Sequence, residues 1–253
     1  MTFTAPGSGA SGTFAGTGTA TATAVTNSSG VATAPAFTAN GTAGSYTVTA
    51  SVSGVGTPAS FSLTNNAVVS GSGSLSGSGN SVATGANLTT EGPSDWVHFG
   101  DGSVPGLNRK SGVTAQISSY TVVGTGGVSP YGNDPRPLSW SDGTPTASST
   151  NNTDGLYNSG VGNGFSITAP ADTTSRTLTV HVGGWFSAGT LTAQLSDGSA
   201  TNYVDTTASG TVGQYDRNYT LTYNAASAGQ TLTVTWVMAS GSGNVTLNGA
   251  ALQ

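Results

Sequence analysis

The sequence predicts an all-β protein built from two modules, a smaller β-sandwich followed by a larger one. Three observations carry this. Short runs alternate apolar and hydroxyl residues with period two, as a strand with one buried face requires. Glycine is 39 of 253 residues, about twice the usual share, and follows no Gly-X-Y period, so it marks turns. No stretch carries a helical 3.6-residue period.

In the first module, residues 1–65, "GSYTVTASVSGV" sets Tyr46, Val48, Ala50 and Val52 on one face and Ser45, Thr47, Thr49 and Ser51 on the other. "GVATAPAFTANG" and "TPASFSLTN" repeat the pattern between Gly, Pro and Asn. The branched threonines suit a pleated outer surface. Residues 66–90, "NAVVSGSGSLSGSGNSVATGANLTT", read as a Gly/Ser-rich connector with the statistics of a flexible coil.

Residues 91–253 form the second module. Its expected strands are "DWVHFG", "AQISSYTVVG", "PLSWSDG", "GNGFSITAPA", "RTLTVHVGGW", "GTLTAQLSDG", "NYTLTYNAA", "TLTVTWVMA" and "NVTLNGAAL". Leu178, Val180 and Val182 alternate with Thr177, Thr179 and His181; Tyr219, Leu221 and Tyr223 share a face, as do Leu232, Val234, Trp236 and Met238. Nine short strands separated by turns fit a sandwich of the jelly-roll kind. Asp-Gly pairs at Asp101, Asp142, Asp154 and Asp197 fall at strand ends, where they favour hairpin turns.

Composition narrows the function. Charged residues are 6% of the chain against about 25% ordinarily, and the net charge is -5. Only Arg109 and Lys110 are adjacent bases, too few to neutralise a phosphate backbone, so neither nucleic acid nor an anionic membrane is an expected partner. Cysteine is absent, which removes disulfides and thiolate chemistry. No run is long and apolar enough for a membrane span, and no signal peptide is visible.

Catalytic motifs fare poorly. "GSGASG" at 7–12 matches a dinucleotide fingerprint, but no helix pattern follows it and no acid precedes Glu91. A serine triad would have to use His98 or His181, and no nucleophile elbow is present. A glycosidase would need carboxylates such as Glu91, Asp95 and Asp101 to converge across a sugar; four of the ten acids sit in Asp-Gly turns instead. The chain is expected not to be an enzyme.

Binding candidates remain. All four tryptophans lie in the second module. Trp236 shares parity with Val234 and belongs to the core. Trp185 shares parity with His181, opposite Val180 and Val182, which turns both outward if Gly183–Gly184 adds no bulge. An outward tryptophan beside polar groups suits stacking on a sugar ring. Trp185, His181, Trp96 and His98 are therefore the candidate carbohydrate-binding residues, against the alternative that these rings fill the core. In "SDWVHFGDGS", Val97 and Phe99 should point inward and Asp101–Gly102 should turn the chain. Asp95, Asp101 and Asp154, the last within "NNTDG", are the candidates for a structural calcium site, against the alternative of solvated turns.

The stretch "TFTAPGSGASGTF…TNSSGVATAPAFTANGTAGSYTVTASVSG…ASFSLTN" resembles the later part of a group 1 bacterial Ig-like domain, the module of invasin- and intimin-like surface proteins. The resemblance implies an extracellular bacterial setting and a spacer or adhesin role. The family's opening strands normally precede a "VTFTAP"-like segment, which here begins at Met1. The sandwich is thus expected to lack its first strands and to expose an edge. Either a neighbour completes it by strand addition or the sequence begins partway through the module. The stretch "DWVHFGDG…NRKSG…SYTVVG…LSWSDGTPTAS…GNGFSITAPADTTSRTLTVHVGGW…LTAQLSDGSA…QTLTVTW" is similar to a galactose-binding-like jelly-roll module of large secreted bacterial proteins. The leading expectation is a structural or adhesive protein, a surface segment or self-assembling fibre subunit completed by a neighbour's strand. The alternative is a carbohydrate-binding module that targets polysaccharide.

Overall fold

The computed structural model describes residues 1–65, 73–80 and 85–253. The chain divides into two compact units, Met1–Val69 and Ser70–Gln253. Both are built from strands; the one helix among the described residues is a single turn, and no helix is long and apolar enough to cross a membrane.

The first unit holds β1 (Thr2–Thr4), β2 (Gly12–Phe14), β3 (Thr21–Thr23), β4 (Phe37–Ala39), β5 (Gly44–Ser51) and β6 (Ala59–Asn65). A sheet of order β3-β1-β5-β6 faces the small β2-β4 sheet. Phe3, Ala5, Phe14, Ala22, Val48 and Ala50 form the core between them, with the Phe14 and Phe37 rings 4.7 Å apart. Of the expected run "GVATAPAFTANG", only Phe37–Ala39 is strand. Among the described residues, strand β6 pairs with β5 alone. Beside it lies an open groove of about 210 Å³ lined entirely by apolar residues, including Phe3, Phe37, Val48, Phe61 and Leu63.

The second unit begins with β7 (Ser74–Asn80), β8 (Ala86–Asn87), α1 (Leu88–Glu91), β9 (Asp95–Phe99), β10 (Leu107–Lys110), β11 (Thr121–Val123) and β12 (Val128–Tyr131). It continues through β13 (Leu138–Trp140), β14 (Gly143–Thr144), β15 (Ser149–Asn152), β16 (Gly155–Ser159) and β17 (Gly164–Ala171). The last four strands are β18 (Arg176–Leu195), β19 (Tyr203–Asp205), β20 (Ser209–Asn224) and β21 (Gln230–Leu252).

Two pairs of expected strands are continuous. "RTLTVHVGGW" and "GTLTAQLSDG" run together as β18, and "TLTVTWVMA" and "NVTLNGAAL" as β21. Each bends midway, where the β18–β21 register slips between Trp185 and Ser187. On one side of the bend the order is β14-β10-β9-β21-β18-β20-β7. On the other side β17 takes the place beside β21 and β19 the place beside β18. The two halves meet through a core in which the Trp236 indole N–H donates to the Gly183 carbonyl at 3.0 Å and its ring lies 6.1 Å from that of Tyr219. The result is a β-sandwich.

Part of the expected connector belongs to this unit. Ser74–Asn80 is a strand paired with β20, because glycine lets its backbone lie against the rings beneath: a Cβ on Gly77 would come within 2.8 Å of Tyr203 and Leu221, and one on Gly79 within 2.7 Å of Tyr219. The connector residues 66–72 and 81–84 lie outside the described residues.

Candidate functional site

Alternation along β18 places Val180 and Val182 in the core and His181, Gly183 and Trp185 on the sheet's outer face. The neighbouring strands put a polar ladder beside them. Trp185 stands between Gln214 of β20 and Asn244 of β21; Gly183 between Asp216 and Thr246; His181 faces Asn218. Tyr157 of β16 pairs with Thr246 from the far side.

Most of this ladder is covered. Arg136 lies flat over it, fully buried. One of its terminal nitrogens donates to the carbonyls of Val182 and Arg217 and to Asn218 Oδ1, each at 3.0 Å, and the other donates to Asn248 Oδ1 at 2.7 Å. Asp134 accepts from the Tyr131 hydroxyl at 2.6 Å and from the Arg136 amide at 2.8 Å. Asn248 in turn donates to the Tyr131 oxygen at 2.8 Å. A buried arginine in such a setting must spend its donors on nearby oxygens; four acceptors take the two terminal nitrogens, while Nε is buried with no partner. Burial and the adjacent Asp134 push the Tyr131 phenol well above its ordinary range. Asp216 sits over the gap left by Gly183, with Oδ1 buried and unpaired. Burial pushes its carboxyl up to about 6, with Asp134 reinforcing and Arg136 opposing the shift.

The end of the ladder at Trp185 is open. There a pocket of about 250 Å³ is lined by Tyr131, Asn133, Tyr157, Trp185, Gln214, Asn244 and Thr246. This is smaller than the roughly 300–1,000 Å³ of common small-molecule sites, and suits one ring. Three aromatic rings, three side-chain amides and a hydroxyl form the lining, with no charged side chain among them. Trp185 remains 48% exposed. The Asn244 Oδ1 is shielded from solvent and has no hydrogen-bond partner.

The other three candidate sugar contacts lie elsewhere. His181 is fully buried, its Nε2 2.8 Å from Glu91 Oε2 and its Nδ1 2.9 Å from Asn218 Oδ1. Parity put it on the correct face, but Glu91 and Asn218 close over it. Trp96 is fully buried with Leu88, Leu138, Trp140 and Ala251 in a small cluster on the outer face of β9 and β21, its indole N–H donating to Asp142 at 2.9 Å. His98 is buried against Trp140, with ring centroids 4.9 Å apart, and desolvation lowers its imidazole to about 4. Both faces of β9 are covered, since Val97 and Phe99 fill the main core as expected.

The three calcium candidates do not form one cluster. The Asp95 carboxylate accepts from the amides of Gln116 and Ile117 at 2.6 and 2.8 Å. Asp101 accepts from Asn108 at 2.7 Å and Thr146 at 3.3 Å. Asp154 feels Asp101, whose charge adds to partial burial in raising its carboxyl above the ordinary value. Among the described residues no group of three or more His, Asp or Glu side chains is arranged to hold a metal ion. Glu91, the remaining carboxylate of the glycosidase alternative, is engaged with His181.

Tyr131, Asn133, Tyr157, Gln214, Asn244 and Thr246 escaped the sequence reading. Parity along β20 and β21 would have put Gln214 beside Trp185 only if the register were known. A scan against protein-family models, a search of curated proteins and a search of solved structures each give no match to the chain.

Proposed function

We propose that the second unit is a non-catalytic carbohydrate-binding module of an extracellular protein, and that it takes a neutral sugar ring in the Trp185 pocket. The half-exposed indole of Trp185 at a pocket walled by amides carries this reading. An indole face stacks on the apolar face of a pyranose, and amides donate to and accept from its hydroxyls. The uncharged lining favours neutral over acidic sugars, because a uronate would find no cation there. The reading is non-catalytic because Asp134 and Asp216, the carboxylates of the adjoining ladder, are buried and do not line the pocket.

The test is affinity electrophoresis through gels containing soluble neutral polysaccharides, with Trp185→Ala alongside. Retardation of the native chain that Trp185→Ala abolishes is the expected result. Equal retardation of both would remove Trp185 from the site.

A second reading rests on the first unit. The open apolar groove and the one-sided β6 suit strand addition from a second copy, which would make the chain a self-assembling or adhesive surface segment. Electron microscopy at several concentrations tests it: ordered oligomers or filaments support assembly, and dispersed particles throughout count against it.

A further inference from the structure

We propose that Phe186 and the hydroxyl-lined cleft beside it form a second sugar subsite adjoining the Trp185 pocket, so that the ligand is a stretch of neutral polysaccharide rather than a single sugar. The proposal rests on the glycan reading of the Trp185 pocket.

Strict alternation would turn Phe186 toward the core, since Trp185 points outward. A bulge prevents this. Along β20, Trp185 pairs with Gln214 and Ser187 with Gly210; along β21 the same two residues pair with Asn244 and Gly241. Between these pairs β18 has the single residue Phe186 where β21 has two and β20 three, so the extra residues lie on the partner strands and the alternation of β18 breaks at Phe186. Phe186 holds φ at +44°, a left-handed conformation that is uncommon for a bulky side chain and costs on the order of 1–3 kcal/mol where it persists. The facing strand is shaped to accept it. A Cβ on Gly243 would fall 1.7 Å from the Trp185 carbonyl oxygen, and one on Gly241, itself at φ +108°, 2.4 Å from that of Phe186.

This strain holds an aromatic ring in water. Phe186 is 38% exposed and stands perpendicular to Trp185, with centroids 4.5 Å apart. A folding core gains nothing from that placement, and irregularities that re-aim a side chain are over-represented next to binding and active sites as well as at sheet edges. On the Phe186 side lies a separate cleft of about 210 Å³ whose wall carries Ser187, Ser240 and Ser242. The Ser187 hydroxyl donates to the Asn244 carbonyl at 2.6 Å, and Asn244 lines the first pocket. Two aromatic faces at right angles, each over its own cleft with amides or hydroxyls to hand, match successive rings of a glycan whose neighbours are rotated about the linkage.

The experiment uses the full chain with hydroxyethyl cellulose, mixed-linkage β-glucan, xyloglucan and galactomannan as gel-borne probes. It then uses the monosaccharide and tetrasaccharide of whichever probe retards the native chain, titrated by tryptophan fluorescence. Phe186→Ala removes the ring; Phe186→Asn removes it while tolerating the left-handed backbone; Phe186→Tyr keeps it. The Ala and Asn variants should bind the tetrasaccharide about tenfold more weakly and the monosaccharide within about twofold of the native chain, with Phe186→Tyr near native on both. Native tetrasaccharide binding by both ring-deleting variants would overturn the second subsite, as would equal losses on both sugars. Retardation that responds to Trp185→Ala but not to Phe186→Asn would leave the glycan reading standing and remove only this inference. Retardation by none of the four probes would overturn both.

Discussion

His181 and Trp185 project from the same face of β18, yet Glu91 and Asn218 seal the imidazole completely while the indole stands half exposed. The difference comes from what lies above the sheet. Around His181 the face is roofed by α1 and by the segment carrying Arg136; at Trp185 the roof ends and a pocket opens. The buried stretch is therefore a stability element, and the open end is where the proposed sugar site lies.

Replacing His181 with Ala should destabilise the second unit by about 2–4 kcal/mol, because it leaves a cavity and strips a partner from Asn218 and Glu91. Glu91→Gln should cost under about 1 kcal/mol, since that side chain is partly exposed and the amide still offers an acceptor. Urea unfolding of the two variants checks the order, and equal losses would show that the His181–Glu91 hydrogen bond rather than packing dominates.

Stability should change little between pH 4 and 6, because two buried groups oppose each other there. His98 is lowered from 6.5 to about 4 by burial. The unfolded chain then holds more protons across that window, so stability falls as the pH drops, by about 3 kcal/mol in all. Asp216 is raised from 3.8 to about 6 by burial. There the folded chain holds more protons, so a contribution fully present below 3.8 is lost as the pH rises toward 6, again by about 3 kcal/mol. Asp216→Asn should unmask the His98 slope, making the protein clearly more stable at about pH 6 than at about pH 4.5. Urea midpoints at both pH values decide it; a flat profile in Asp216→Asn would sink the compensation.

Gly189→Ala should be costly although the change is one methyl group. The added Cβ would meet the Trp236 ring at 2.1 Å, inside the core where both sheets contribute and overpacking costs about 1–3 kcal/mol. Thermal unfolding should show a lower midpoint together with altered tryptophan emission. An unchanged midpoint would mean that Trp236 has room to withdraw.

If the first unit assembles through β6, charges on its apolar face should prevent it. Phe61→Lys with Leu63→Lys places two ammonium groups on the groove and the edge, a known means of blocking strand pairing. Sedimentation velocity across a concentration series should show oligomers of the native chain and monomers of the variant. A native chain that sediments as a monomer throughout would end the assembly reading.

How much of this could be read in advance differs residue by residue. Period two alone assigns Trp236 with Val234 to the core and puts Tyr219, Leu221 and Tyr223 on one face, and all five are buried in the core. The same argument turns Trp185 outward only if Gly183–Gly184 adds no bulge, with the core as the alternative, and the indole is half exposed. Alternation could not anticipate Phe186: even-numbered residues of β18 fill the core before it (Leu178, Val180, Val182) and odd-numbered ones after it (Leu191, Ala193, Leu195). It placed His181 on the correct face but could not say that the face is roofed.

The sequence by itself determined that the chain is β throughout, where most strands of the second unit run, and which residues share a face, because strand periodicity is a local property of the backbone. Only the tertiary structure decided which faces are covered, that Trp96 and His98 are interior, that four expected strands are two bent ones, and that Tyr131, Tyr157, Gln214 and Asn244 converge on Trp185. Those facts depend on register and on contacts between residues as far apart as Glu91 and His181, and no local pattern encodes them.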